Sequence, residues 1–198
     1  MLKNVMSALF PLYHRLKVSG VENLQEGPCV FAANHQSFLD VFMLMRALPH
    51  RILAKTFFLA KDKSLYHNRF ARFIIRRSNI VMMNVSGDLK NVFLKVASVI
   101  QSGCNVVIFP EGSRTRTGAI GEFKKTFAII SRELGVPITP VAIDGPYRLM
   151  PYGSGFPLPG KISLKFLKPI YPESDDYAII AEEVKQMIRR ELENTKEA

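Results

Sequence analysis

The chain has 198 residues, 47% of them hydrophobic and 22% charged, and its 27 Lys and Arg against 17 Asp and Glu leave a formal charge of +10. That length suits one ordinary core built without disulfides or metals, and that composition excludes a disordered, fibrous or repeat protein. The basic excess calls for an anionic partner, while Cys29 and Cys104, far apart and without a CxxC or nearby His ligands, argue against a disulfide framework or a zinc site and for ordinary thiols in a reducing compartment.

Residues 1–17 carry Leu2, Val5, Met6, Leu9, Phe10 and Tyr13 at helical spacing, with Lys3, Arg15 and Lys17 off that stripe. The pattern fits an interfacial amphipathic helix, and equally a helix docked on its own domain and bent near Pro11. No apolar run of about 18 residues or more occurs, and the start lacks a signal-peptide cleavage pattern, so the expectation is a chain that does not span a membrane.

Short β-rich runs follow at Cys29–Ala33, Ile52–Ala60, Ile80–Val85, Asn105–Phe109, Ile138–Ile143 and Ile162–Leu167. They are mostly continuous apolar stretches, as expected of strands buried on both faces. Within Lys61–Arg77, six cations face a single acid, Asp62, and Tyr66, Phe70, Phe73 and Ile74 form an apolar face, which fits a headgroup-level helix, a phosphate-acceptor rim or a solvated face packed on the core. Leu89, Val92, Phe93, Val96, Val99 and Ile100 share a helical face between Asp88 and Gly103 as cap signals, and a closing helix spans about 176–193. The Gly/Pro-rich Pro146–Gly160 reads as a long surface loop. Strands alternating with helices predict an α/β fold: one layered domain over 1–198, with a largely parallel or mixed central sheet flanked by helices and a ligand site at the C-terminal ends of strands.

Two segments directly after predicted strands carry chemistry. The first, Asn34-His35-Gln36-Ser37-Phe38-Leu39-Asp40, is a strand-to-helix turn. A free imidazole, with a pKa of about 6.5, is substantially neutral at physiological pH and can accept a proton, so His35 suits a general base. His35 and Asp40 do not share one helical face, but a turn ending near Ser37 lets the imidazole fold back over the first helical turn, where Asp40 would fix its tautomer. Ser37 and Asp40 also match a capping box, and from spacing alone capping and catalysis weigh about equally.

The second segment is Phe109-Pro110-Glu111-Gly112-Ser113-Arg114-Thr115. Gly112 permits close backbone approach, Arg114 offers a planar fork for phosphate oxygens, and Glu111 is placed either to bond an acceptor hydroxyl or to hold Arg114. A plain surface turn with a Glu–Arg pair is the bland alternative. A covalent serine mechanism finds no G-x-S-x-G elbow, nucleotide folds find neither a P-loop nor G-x-G-x-x-G, and no RNP-like or helix-turn-helix signature supports nucleic-acid binding.

NHQSFLD resembles the HX4D motif, and FPEGSRT the acceptor-binding motif, of glycerophosphate and 1-acylglycerol-3-phosphate acyltransferases. Phe123-Lys124-Lys125 and Val136–Val141 resemble the next two blocks, so the likeness runs from about Pro28 to Pro169. The resemblance implies His35 as catalytic base, Asp40 as its orienting partner, and Glu111, Gly112 and Arg114 in the substrate-binding site. It implies an acyl-CoA or acyl carrier protein donor, with no resident cofactor or metal, and a lysophospholipid or glycerophosphate acceptor, above all 1-acyl-sn-glycerol 3-phosphate. An anionic membrane surface on the cytoplasmic side, and no nucleic acid, would be the remaining partner. A different lysophospholipid acceptor, or a non-catalytic protein binding anionic membranes, is the alternative. One departure stands out: the family often has an Arg where this chain has Met82-Met83-Asn84, leaving Arg76, Arg77, Lys61 or Lys124 as substitutes.

Overall fold

A computed structural model describes residues 14–60, 80–82 and 89–197. Among them run β1 (His14–Ser19), a 3-10 turn (Val21–Asn23), β2 (Val30–Ala33), α1 (Leu39–Ala47), α2 (His50–Ala54), β3 (Thr56–Ala60), β4 (Ile80–Met82), α3 (Leu89–Gln101), β5 (Asn105–Ile108), α4 (Thr126–Leu134), β6 (Ile138–Asp144), α5 (Pro146–Leu149), β7 (Gly160–Phe166) and α6 (Tyr177–Glu197). The strands form one seven-stranded sheet in the order β1-β7-β6-β2-β5-β3-β4. Every neighbouring pair is parallel except β6–β7. The expected mixed, largely parallel α/β sheet is therefore present.

The continuous apolar runs become strands because both faces of the sheet are covered. Val30 and Ala32 of β2, Val106 and Ile108 of β5, and Ile138 and Ala142 of β6 point into one core. Buried residues of α3, α4 and α6 close that core, including Val96, Phe127, Ile130, Ile180 and Val184. Phe31, Ala33, Val107, Val141 and Ile143 alternate to the other face and meet Met43, Leu44 and Ala47 of α1. The central strands thus carry two cores with a period of two, which leaves only their C-terminal ends free to present polar groups.

Helix ends follow local signals. Gly103, at φ 76°, stops the chain after α3, where its N–H donates to the Ile100 carbonyl at 2.9 Å. Gly135, at φ 62°, does the same after α4. Asp176 caps α6 by accepting the Ala178 N–H at 2.7 Å.

Three expectations need correction. His14–Lys17 are not helical: they begin β1, which pairs in parallel with β7 in the register Leu16↔Ile162. Alternating burial along the strand, with Arg15 and Lys17 outward, marks a charged sheet edge, so period two overrides the helical stripe there. The proposed helix over 1–13, the basic segment 61–77, the cap at Asp88 and positions 83–84 lie outside the described residues. The run Ile52–Ala60 is half helix: Ile52 and Leu53 donate to the Pro49 carbonyl at 3.0 and 2.9 Å, and only after Lys55 does β3 begin. Pro146–Gly160 is not all loop, since Gly145, at φ 107°, leads into α5 with Pro146 at its first position. The helix α4 was not anticipated.

Candidate active site

β2 ends at Ala33, and Asn34 continues its pairing with β6 by side chain instead of backbone. Its Nδ2 donates to the Ile143 carbonyl at 2.9 Å, and its Oδ1 accepts the Ile143 N–H at 2.8 Å. A carboxamide satisfying both backbone groups of one residue mimics a further ladder step while freeing the chain to turn. The turn places His35 over the end of β5. His35 N–H donates to Glu111 Oε1 at 2.8 Å, and its carbonyl accepts the Thr115 N–H at 2.9 Å. Both backbone groups of His35 are thereby held by the second motif.

The imidazole Nδ1 lies 2.8 Å from Asp40 Oδ2. That same oxygen accepts the Gln36 and Ser37 N–H groups at 2.6 and 2.8 Å. Capping and imidazole orientation are therefore one arrangement, with Asp40 serving both. Because Oδ2 can only accept, the hydrogen on Nδ1 points at it and Nε2 keeps its lone pair. Nε2 has no protein partner among the described residues. One face of the ring stacks on Phe109, with centroids 4.1 Å apart and planes inclined by 21°. The imidazole is 18% exposed and Asp40 fully buried.

Burial raises the Asp40 carboxyl above the usual carboxylate range, opposed by the His35 hydrogen bond and charge and by the Ser37 and Gln36 amides. Asp40 Oδ1 is buried with no hydrogen-bond partner among the described residues. Burial also raises Glu111, opposed by the amides of His35 and Gly121.

Glu111 does not hold Arg114, although it lines the hollow beside it. Its Oε1 holds the His35 N–H and its Oε2 the Gly121 N–H at 3.0 Å, so it clamps the two loops that flank the site. No Glu111–Arg114 ion pair forms among the described residues. Gly112 sits at φ 71°, and its N–H closes a turn on the Phe109 carbonyl at 3.0 Å. A Cβ there would lie 2.8 Å from Lys124 Nζ, so glycine admits the lysine into the site.

Arg114 lines a hollow of about 500 Å³ together with Glu111, Arg116 and Lys124. His35 is not among its lining residues; Glu111 links the two. The Arg114 and Arg116 guanidiniums lie 4.8 and 5.3 Å from the centroid of the Tyr152 ring. Arg116, Tyr152, Phe109 and Asn34 escaped sequence reasoning. The repeat of Arg in Arg114-Thr115-Arg116 was a usable signal for the second guanidinium, whereas Tyr152 had none. The hollow can hold an anion against three cations, a few residues from an oriented imidazole with an open lone pair.

A mixed, largely parallel α/β sheet bearing a His–Asp pair on one strand end and an arginine loop on the next points to the acyltransferase class. A family model described as Acyltransferase matches residues 15–144, and the chain belongs to that family. It is 27% identical over 191 residues to the chloroplastic 1-acyl-sn-glycerol-3-phosphate acyltransferase BAT2 of Brassica napus, covering 93% of this chain and 53% of the relative. It is 33% identical over 132 residues to the human beta enzyme of the same name, covering 64% of this chain and 45% of that protein. The chain thus spans about half the length of these curated relatives. Among solved structures it resembles the 1-acyl-sn-glycerophosphate (LPA) acyltransferase PlsC of Thermotoga maritima, with a TM-score of 0.74, 28% identity, and coverage of 97% of this chain and 75% of the other.

Proposed function

We propose that this protein transfers a fatty acyl group from an acyl-CoA or acyl carrier protein thioester to the free hydroxyl of 1-acyl-sn-glycerol 3-phosphate, at the cytoplasmic face of a membrane. The observation that carries the reading is the 2.8 Å contact between His35 Nδ1 and Asp40, which leaves Nε2 as the only ring atom able to accept a proton. Nε2 takes the acceptor's hydroxyl proton as the oxygen attacks the thioester carbonyl carbon. The tetrahedral oxyanion collapses, the C–S bond breaks, and the departing sulfur takes the proton back from the imidazolium. Ester and thiol are the products, and the atoms balance with donor and acceptor alone, so no resident cofactor or metal is invoked. Asp40 holds the tautomer at the start and offsets the imidazolium charge in the middle.

Arg114, with Arg116 and Lys124 in the same hollow, supports a phosphorylated acceptor. The names of the relatives point to the same substrate. No helix among the described residues is long and apolar enough to cross a membrane, which is compatible with peripheral attachment. An anionic lipid surface, and not nucleic acid, is the partner this reading assigns to the basic charge.

The test is thiol release from acyl-CoA in the presence of lysophosphatidic acid. Wild type should release thiol only with acceptor present, and His35→Ala should lower the rate by roughly 10²–10⁴-fold, the usual worth of a general base. Acceptor-independent release, or turnover by His35→Ala at the wild-type rate, would overturn the assignment.

A further inference from the structure

Among the described residues, three of the seven exposed large hydrophobic side chains lie on one stretch, the loop between α5 and β7. Phe156 is 79% exposed, Leu158 60% and Tyr152 52%. The loop is held by its own backbone: Leu158 N–H donates to the Leu149 carbonyl at 2.8 Å and Ser154 N–H to the Pro151 carbonyl at 3.1 Å. Gly153, at φ 87°, makes the turn between them. Clustered side chains of this kind on an ordered loop mark an interaction site.

The surroundings are basic. No Asp or Glu occurs from Pro146 to Gly160 or from Gly112 to Gly121. Arg114 and Arg116 lean on Tyr152, which joins the cationic rim of the hollow to the base of the loop. Lys161 follows the loop and is exposed. Exposed apolar side chains on a loop whose Tyr152 carries guanidiniums suit a bilayer surface, with acyl chains beneath anionic headgroups.

We propose that the loop carrying Tyr152, Phe156 and Leu158 docks this protein on an anionic lipid bilayer, Phe156 and Leu158 entering the acyl boundary and Lys161 meeting lipid phosphates. Lipid fits better than an acidic protein because Phe156 and Leu158 stand out from a Gly/Pro-rich loop, and a bilayer receives protruding side chains without a complementary pocket. The loop is also coupled to chemistry: Ser37 Oγ, in the His–Asp turn, donates to the Met150 carbonyl at 2.7 Å where the loop begins. Docking there sets the mouth of the site at headgroup depth, where a lysophospholipid would be met. The orientation of that mouth rests on the function proposed above; the docking surface rests on exposure and charge.

Two variants of the whole chain test it. Sedimentation with vesicles of equimolar phosphatidylcholine and phosphatidylglycerol should show partitioning about tenfold weaker for Phe156→Ser/Leu158→Ser than for wild type. Vesicles of phosphatidylcholine alone should bind both weakly. The chain has no tryptophan, so Phe156→Trp supplies a single reporter. Its emission should shift to the blue and be quenched by brominated lipid in the anionic vesicles. Unchanged partitioning of the double variant, or an unshifted tryptophan on vesicle-bound protein, overturns the proposal. So does undiminished vesicle binding in a double variant that has lost affinity for acyl carrier protein, which would make the loop a protein-docking surface. Thiol release with lysophosphatidic acid in neutral detergent micelles, expected to be equal in wild type and double variant, separates the two questions. If wild type fails there, the assigned reaction falls while the vesicle and quenching results still decide the loop.

Discussion

Glu111 uses its carboxylate to set the geometry of the loops that flank the imidazole. Both oxygens accept backbone amides, from His35 at 2.8 Å and Gly121 at 3.0 Å, and burial raises its pKa because the charge is poorly solvated there. In Glu111→Gln one oxygen becomes an NH₂ group facing an N–H, so one of the two amides loses its acceptor. An unpaired buried donor costs about 1–3 kcal/mol. If the amide lost is that of His35, the imidazole shifts and kcat falls about tenfold, while the acyl-donor KM stays level because Glu111 touches neither substrate in the proposed reaction. Steady-state kinetics alongside a urea unfolding curve checks this. A raised acceptor KM at unchanged kcat would return Glu111 to the substrate-contacting role that its place in the FPEGSRT motif implied.

At the scale of elements, the loop after α5 reaches the site through the Tyr152 ring and through the Met150 carbonyl that Ser37 Oγ bonds. Tyr152 carries both guanidiniums on one ring, and cation–π contacts of this kind are worth about 0.5–1 kcal/mol each at exposed positions. Tyr152→Ala should therefore raise the KM for a phosphorylated acceptor about three- to tenfold. Tyr152→Phe, which keeps the ring, should restore it, and KM for a phosphate-free monoacylglycerol should not move. Equal effects on both acceptors would show that the loop's fold, and not the arginines, had been disturbed.

That contact explains what sequence could and could not reveal. β2, β5 and β6 were legible because strands covered on both faces leave apolar runs, β7 because Ile162, Leu164 and Phe166 alternate with polar residues, and His35, Asp40 and Arg114 because they stand just past apolar runs. β1 was not, because His14–Ser19 follows an apolar stripe that continues smoothly into it. α2 was hidden because Ile52 and Leu53 extend the apolar run of β3 without a breaker, the helix being started by Pro49 upstream. Tyr152 and the clamp formed by Glu111 depend on which loops meet above the sheet, and local sequence does not encode that.

Asp40 acts on the folding equilibrium of the whole molecule as well as on His35. Its folded pKa is raised, so between the ordinary carboxylate value and the folded one the native state holds a proton that the unfolded chain has released. Stability rises with pH only where the unfolded state binds more protons, so Asp40 makes the protein less stable as pH climbs through that window, after which its contribution is constant. Asp40→Asn removes the buried charge. The amide oxygen can still accept from Gln36, Ser37 and His35, so the tautomer survives while the imidazolium loses its counter-charge. The NH₂ takes the unpartnered Oδ1 position at a cost that does not vary with pH, so the urea midpoint of the variant relative to wild type should rise as pH climbs from below the ordinary carboxylate range, where both side chains are neutral, through the Asp40 window. Glu111 shifts in the same direction but is present in both proteins, so it cancels in the comparison. The rate should fall by roughly 10²–10³-fold, the usual cost of one lost electrostatic partner in a site. A variant that is fully active and whose midpoint relative to wild type does not change with pH would mean that the buried carboxylate serves only to cap α1.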